Sequence, residues 1–436
     1  MTKVIVAESA HTCEKLMGKY LDESHYDLLV EEDMDFYAPI KEIGRTEPSE
    51  QECLFKFRKN VFSPEEQLGA YEGLVGAAQP TQNRGMAAGP KTGKLNNRDW
   101  VTEFQFEVLD ALIKNDNNLF GEDPIAEIER RYKNTPPEST RGMVWLRNKI
   151  SDLGFTYEEF FASKLKEWKK MSSFDAAVDA KFVKKNFISD TTYANAVNSG
   201  IAGFYDRYPR IPYGRATSYT AKHADLYEKC YPFMTTLAEK FSDLLPKRYA
   251  AQNKVANKLD PRFRVAGENT PFTTITVNKN FRTAAHRDAG DLSEGFSNLT
   301  VVAKEKEWEG GYLVLPEYRV AINVRPGDLL LINNHEGIHG NTEIVPPKGK
   351  TIEEMERISL VCYFREKMVQ LGSWEYEKHR YDFVESRRLA ANDPKFNGVS
   401  EGMWSSQEWY DYLEANGGSD MLEEYHPQQA TLEAFF

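Results

Sequence analysis

The stretch FTTITVNKNFRTAAHRD, residues 272–288, decides how this chain folds. Across 273–277 threonines alternate with Ile275 and Val277, the period of a strand with two different faces. The run ends in His286-Arg-Asp288, two metal-competent side chains two positions apart. Further short β-like runs follow at 298–302, 312–315, 320–322, 328–332 and 358–364. Gly310-Gly311 and Pro326-Gly327-Asp328 supply turns between them. Many short strands in antiparallel order predict an α+β fold. Its core is a double-stranded β-helix (jelly-roll or cupin-like) over about 270–365, with flanking helices.

The His-x-Asp pattern is a weak signal by itself, because it also occurs at His25-Tyr-Asp27 and His223-Ala-Asp225. Only His286 and Asp288 lie just past a strand and have further histidines after a later strand. His335 and His339 both follow the 328–332 run, and either can supply a third ligand. His339 is favoured because Gly340 allows close backbone approach, which leaves His335 as a supporting or structural residue. Gly337 between them argues against a helical His pair. Arg357 and Ser359 stand two apart on the last strand, so they share one face. If that face is interior, Arg357 is a buried cation that needs an anion. A dicarboxylate co-substrate provides one in bidentate pairing, with Ser359 adding a hydrogen bond. The competing reading is an exposed Arg357 paired with Glu354 or Glu356. Two His, one carboxylate and a strand-borne Arg in this order are what a non-haem Fe(II) oxygenase using 2-oxoglutarate requires.

The 436 residues suit one large domain with additions, or two. A 41% apolar content with 25 Phe and 22 Tyr allows a sizeable core and excludes global disorder. No apolar run is long enough to span a membrane. The start MTKVIVAESAHTCEK turns polar too early for a secretory signal. Cys13, Cys53, Cys230 and Cys362 are scattered without a CxxC, so free thiols in a reducing, cytoplasmic setting are expected. The net charge of −12 argues weakly against nucleic-acid binding, but the acid is concentrated at both ends around a near-neutral body.

Strands are expected at 27–31 and 52–58, and a helix from Ser63 (N-cap, with Pro64 at N1 and Glu66 completing a capping box) to about Ala78. Residues 79–99 read as a long loop and 115–140 as irregular. Residues 140–185 are predicted helical, with a Thr156/Glu159 capping box. One or two helices are expected over 221–250, ending near Pro246-Lys-Arg248. A last helix is expected from Ser405 and Glu408 to Gly417-Gly418. Three segments could hold a phosphodiester: Arg207 to Arg215, which interleaves Arg207, Arg210 and Arg215 with tyrosines; Lys164 to Lys170; and the loop with Arg84, Lys91, Lys94 and Arg98.

Residues 272–296, with Gly310-Gly-Tyr-Leu-Val314, Tyr318-Arg-Val-Ala321, His339-Gly-Asn-Thr342 and Glu356-Arg-Ile-Ser359, resemble the TET/JBP superfamily. These are Fe(II)/2-oxoglutarate 5-methylpyrimidine dioxygenases, and the likeness is greatest to the hydroxylase domain of base J-binding protein. Residues 52–90, including Asn83-Arg-Gly85, look similar to the family's upstream region. The resemblance implies Fe(II) on His286, Asp288 and His339, and 2-oxoglutarate anchored by Arg357. It also implies hydroxylation of the methyl group of thymine or 5-methylcytosine in DNA. Asp291 falls where such enzymes place a contact to the flipped base. As a carboxylate it only accepts hydrogen bonds, so it does not choose between the N3–H of thymine and the amine of cytosine. Asn278 is a second candidate contact, and Asn280 a third. The Cys-rich zinc segment of animal TET proteins has no counterpart here, and none is expected for the extra DNA-binding domain of longer J-binding proteins. A compact microbial or phage-encoded member acting on DNA inside the cell fits. On this reading the chain divides into an acidic segment 1–50, a dioxygenase domain 51–370 and an acidic helical segment 371–436. The alternatives are a hydroxylase of a free nucleotide or other small molecule, and a catalytically silent cupin-like binding protein.

Overall fold

The computed structural model describes residues 2–81, 84–90, 196–206, 213–288, 290–304, 307–389 and 406–421. The chain forms two compact units, one of residues 1–90, 195–381 and 417–436, the other of 91–194 and 382–416.

All the described strands lie in the first unit. In chain order they are β1 (Lys3–Val6), β2 (Leu28–Val30), β3 (Met34–Tyr37), β4 (Cys53–Arg58), β5 (Pro80–Thr81) and β6 (Val197–Asp206). There follow β7 (Gly214–Ala216), β8 (Thr274–Lys279), β9 (Ser297–Ala303), β10 (Glu309–Gly310) and β11 (Leu313–Leu315). The last are β12 (Val320–Ile322), β13 (Leu329–Ile332), β14 (Gly340–Asn341), β15 (Ile344–Val345) and β16 (Arg357–Tyr363). One large sheet runs β1-β3-β4-β13-β9-β16-β8-β6-β5, with β7 paired to β6. A second runs β14-β11-β12-β2, and β10 pairs with β15.

The helices of this unit are α1 (Pro64–Leu74), α2 (Ser218–Lys222), α3 (Ala224–Tyr227), α4 (Tyr231–Leu244), α5 (Pro246–Ala256) and the start of α6 (Trp374–Leu389). Ser63 caps α1 in the expected capping box, and the helix ends in a short 3-10 turn through Ala77.

Strand β16 shows how the layers are organised. Its even positions, Ile358, Leu360 and Cys362, join a core with Leu74, Phe233, Leu237 and Phe241 from α1 and α4. Its odd positions, Arg357, Ser359, Val361 and Tyr363, face a cavity on the other side of the sheet. A second core, with Phe36, Phe55, Phe57, Leu313, Ile322 and Leu330, fills the space between the two sheets. The site therefore sits on a strand packed on both faces, where side-chain direction is fixed by the pleat.

Three expectations are corrected. Residues 1–50 are not a segment apart: β1 and β3 extend the large sheet, and β2 pairs in parallel with β12. Nor does the compact unit stop at 370. Buried Glu377 accepts the backbone N–H of Gly214 at 2.7 Å and of Gly372 at 2.9 Å, which anchors the start of α6. Pro246 also opens α5 rather than ending a helix, because proline at the first helical position loses no needed hydrogen bond. The predicted elements at 115–140 and 140–185, with Thr156, lie outside the described residues. So does the Ser405 cap, although the helix it was to start is seen as α7 (Ser406–Ala415). In the second unit Phe383 packs against Trp409 and Tyr412. All four cysteines are free thiols. No described helix is long and apolar enough to cross a membrane.

Candidate metal and co-substrate site

His286 and His339 lie opposite each other in an isolated antiparallel bridge and exchange both backbone hydrogen bonds at 2.9 Å. The pairing is close because Gly340 has no side chain. A Cβ there would stand 3.0 Å from the Ala284 and Ala285 backbone. Gly340 thus brings the two histidine-bearing segments together. Asp288 is tied to the same region by its N–H, which donates to the Asn334 carbonyl at 3.0 Å.

One ligand atom from each of His286, Asp288 and His339 lies within 4.8 Å of the others, a group that could hold a metal ion. His286 Nδ1 sits 2.7 Å from the Ala284 carbonyl and His339 Nδ1 3.1 Å from that of Gly337. A carbonyl only accepts, so each Nδ1 carries the proton and each Nε2 offers a lone pair. Those Nε2 atoms stand 3.3 and 3.8 Å from the two oxygens of Asp288. Lone pairs converging on a carboxylate suit a cation between them, and the donor set fits iron.

The two rings differ in their electrostatics. Burial alone would raise the Asp288 carboxyl, yet the neighbouring His286, His339 and Asn334 side chains lower it to about 2. Burial, then the neighbouring His286, press His339 down to about 4, so its ring is neutral near pH 7. At His286 burial pushes down and the Asp288 carboxylate pushes up, with a net rise.

His335 is exposed, and the other two His-x-Asp pairs are unrelated to the site. His25 bonds Asp22, Asp27 pairs with Arg319, and His223 sits at the junction of α2 and α3.

Arg357 lies in the same cavity, of about 450 Å³. Only 3% of it is exposed, and its Nε has no partner. One weak bond runs from Nη2 to the Gly311 carbonyl at 3.4 Å, and the guanidinium lies 5.7 Å from the Trp308 ring centre. Burial, then the charge of Arg325, lower its pKa to about 10, which still leaves it cationic at neutral pH. The pairing with Glu354 or Glu356 is overturned, because Glu356 faces away and meets Lys279 at 2.8 Å and Lys304 at 3.1 Å. Ser359 lines the cavity beside Arg357, as its spacing requires.

Asp291 and Asn278 also line this cavity. Burial, then the Asp288 charge, push Asp291 up to about 7, and its carboxyl accepts from Ser297 Oγ at 2.7 Å. Near that value the carboxyl can give as well as accept a proton, which the sequence reading did not allow for. Asn278 accepts from the Ser199 hydroxyl. Asn280 is a structural residue, donating to the carbonyls of Ile352 at 2.7 Å and Met355 at 2.5 Å. Arg207 and Arg210 lie outside the described residues, as do Lys164 to Lys170 and residues 91–99 of the long loop.

The sequence reading missed Tyr363 and Arg365 in the cavity wall and placed Arg84 elsewhere. Continuing the two-residue period from Arg357 through Ser359 and Val361 would have reached both. Arg84, read as a phosphate candidate in a loop, lines the cavity instead. It donates to the Gly200 carbonyl at 2.9 Å, and its Nε is unpartnered.

Residues 200–366, which include every residue of the metal group and Arg357, match the family model Tet_JBP, the oxygenase domain of the 2OGFeDO superfamily. The chain is similar to thymine dioxygenase JBP1 of Leishmania braziliensis, 30% identical over 46% of this chain and 23% of that protein. The JBP1 of Trypanosoma brucei brucei is 34% identical over 47% of this chain and 23% of its own length. The bifunctional helicase and thymine dioxygenase JBP2 of Leishmania infantum is 33% identical over 47% and 18%. The match thus spans less than a quarter of these relatives. Among solved structures, NgTET1 in complex with 5mC DNA aligns over 86% of both chains with a TM-score of 0.39 and 11% identity.

Proposed function

We propose, from the premise that residues 200–366 are a Tet/JBP oxygenase domain of the 2OGFeDO superfamily, that this protein is an Fe(II)- and 2-oxoglutarate-dependent dioxygenase. Its substrate is the 5-methyl group of a pyrimidine, thymine or 5-methylcytosine, in DNA. The observation that carries the reading is one cavity holding both a His-Asp-His group and an unneutralised buried arginine. The large sheet and the facing β14-β11-β12-β2 sheet are read as the two halves of a double-stranded β-helix.

His286, Asp288 and His339 would hold Fe(II), and Arg357 with Ser359 would bind the distal carboxylate of 2-oxoglutarate. When bound, iron with 2-oxoglutarate and dioxygen supplies the oxidising power that side chains lack for a methyl C–H bond. The chain's own work is placement. Both Nδ1–H bonds fix the imidazole planes, and Trp308 stacking holds the Arg357 guanidinium. Leu299, Leu313, Val324 and Val361 give the cavity apolar walls that limit water. Asp291 and Asn278 offer polar atoms to the edge of a flipped base. Arg84 gives a second buried cation for an anionic group of co-substrate or substrate.

The test is nucleoside mass spectrometry of DNA incubated with the protein, Fe(II) and 2-oxoglutarate. The expected product is the 5-hydroxymethyl base, formed faster at single-stranded or mismatched sites, where flipping costs less. If free nucleotides are oxidised efficiently while DNA stays inert, the DNA assignment fails and the oxygenase chemistry stands.

A further inference from the structure

A smaller cavity of about 220 Å³ lies beside β7 and is not used by the chemistry above. Its walls include Arg215, Phe263, Trp374, Lys378 and Tyr381. It is smaller than the roughly 300 Å³ at which small-molecule pockets usually begin, so it suits one ring rather than a whole cofactor.

The pocket is built, not incidental. Gly214 is required at its back: a Cβ there would stand 2.4 Å from Leu371 and 3.0 Å from Phe263. Glu377 pins the Gly214 backbone, so Arg215 starts from a fixed point. Trp374 is held by Phe263, with ring centres 4.7 Å apart.

Among the described residues no carboxylate pairs with Arg215 or Lys378. Arg215 lies 5.6 Å from the Tyr205 ring centre and 5.9 Å from that of Tyr381, its Nε donates to the Ala216 carbonyl at 3.3 Å, and the other polar groups facing it among the described residues are the hydroxyls of Tyr205, Tyr213 and Tyr381. Nearby Arg262, by contrast, is neutralised by Asp260 at 2.7 Å and Glu375 at 2.5 Å. Lys378 is exposed at the rim. Trp374 is already flanked by Phe263 and by Arg262, whose guanidinium lies 5.6 Å from its ring centre, and Tyr381 by Tyr213 and Arg215, so a base would share these rings with the cations beside them. Cations beside aromatic rings are the combination that holds a single nucleic-acid strand, phosphate to the cation and base to the ring.

Its position fits the same substrate. Gly214 pairs with Asp206 across β6 and β7, and Asp206 holds Arg365, which lines the main cavity. The two cavities therefore flank one strand end. We propose that this pocket is a nucleotide subsite beside the reaction cavity, stacking one unpaired base of the DNA on Trp374 and Tyr381 with its phosphate between Arg215 and Lys378. The proposal rests on the DNA reading above.

Two measurements test it on the full chain with Fe(II) and 2-oxoglutarate under anaerobic conditions. In the first, binding of a fluorescent thymine-containing single strand is titrated across salt concentrations. Arg215→Ala with Lys378→Ala should weaken binding about tenfold and flatten the log–log salt slope by about one phosphate contact, roughly 0.7. Arg215→Lys should keep the slope, because the charge stays. In the second, an iodouracil-substituted strand is photo-crosslinked to the unmutated protein, and the peptides carrying Trp374 or Tyr381 should be labelled. Unchanged affinity and slope, or crosslinks that avoid both residues, would overturn the subsite. If the unmutated protein oxidises DNA in that case, the proposed function survives; if it binds no DNA at all, both fall.

Discussion

Arg357 and Arg365 stand at opposite ends of one strand face, and they meet opposite surroundings. Arg365 has a carboxylate: Asp206, almost wholly buried, accepts from its Nε. Arg357 is more deeply buried and, among the described residues, has only a long bond to one carbonyl and the face of Trp308. Desolvating a guanidinium without a counter-charge costs several kcal/mol. A fold under no other demand would fill that position with an apolar side chain. The difference separates an arginine that serves the fold from one kept for a ligand. It also explains why the cavity wall can hold several arginines without all of them being anion sites.

The largest effect expected lies at the metal group. His339→Ala or Asp288→Ala should abolish Fe(II) binding, read by metal content and calorimetry, and with it succinate release. His25→Ala, His223→Ala and His335→Ala should bind iron as the unmutated chain does. If His335→Ala loses iron while His339→Ala keeps it, the ligand assignment is wrong.

At the unpaired arginine, Arg357→Ala should raise the 2-oxoglutarate concentration needed for half-maximal turnover by about two orders of magnitude, since a desolvated charge pair is worth about 2–5 kcal/mol. The comparison sharpens with Arg357→Met. Without ligands this variant should melt at or above the temperature of the unmutated protein, because a buried uncompensated charge is gone. A marked loss of stability in the metal-free protein would mean that Arg357 serves the fold after all.

Arg365→Met should do the reverse. It strands the Asp206 carboxylate in the interior, so urea unfolding of the metal-free chain should show a loss of about 3 kcal/mol. Adding Asp206→Asn should recover much of it. Equal stabilities for Arg365→Met and Arg357→Met would erase the contrast.

Much of the site was legible because it depends on short periods. His286 and Asp288, and Arg357 and Ser359, are each two apart, and a strand turns that spacing into a shared face. What was not legible arrives by topology. Arg84 reaches the cavity from a distant loop because its guanidinium finds the Gly200 carbonyl on β6. Of the strands in residues 1–50, β2 falls in the expected run 27–31, but β1 and β3 were not legible, since β1 is mostly exposed and its pairing with β3 is made by backbone. The burial of Arg357 was a conditional inference from sequence. The missing partner became visible only when Glu356, its neighbour, proved to face the other way.

That neighbour yields the smallest expected effect. Glu356 lies just before the first residue of β16, where Lys279, Tyr71 and Lys304 converge on its carboxylate. The hydrogen bonds from Lys279 and then Tyr71 lower its pKa from 4.5 to about 2. A depressed folded-state pKa means that the contribution is present above the unfolded value and lost as pH falls through the folded one. Glu356→Gln should therefore cost about 1 kcal/mol at pH 7, after allowing for solvent screening of a partly exposed group. The deficit should shrink as pH drops below about 4.5 and vanish near pH 2. Urea unfolding of both proteins across that range measures it. A deficit that stays constant with pH would mean that Glu356 acts through packing rather than charge, and that β16 is not flanked by one satisfied and one waiting charge.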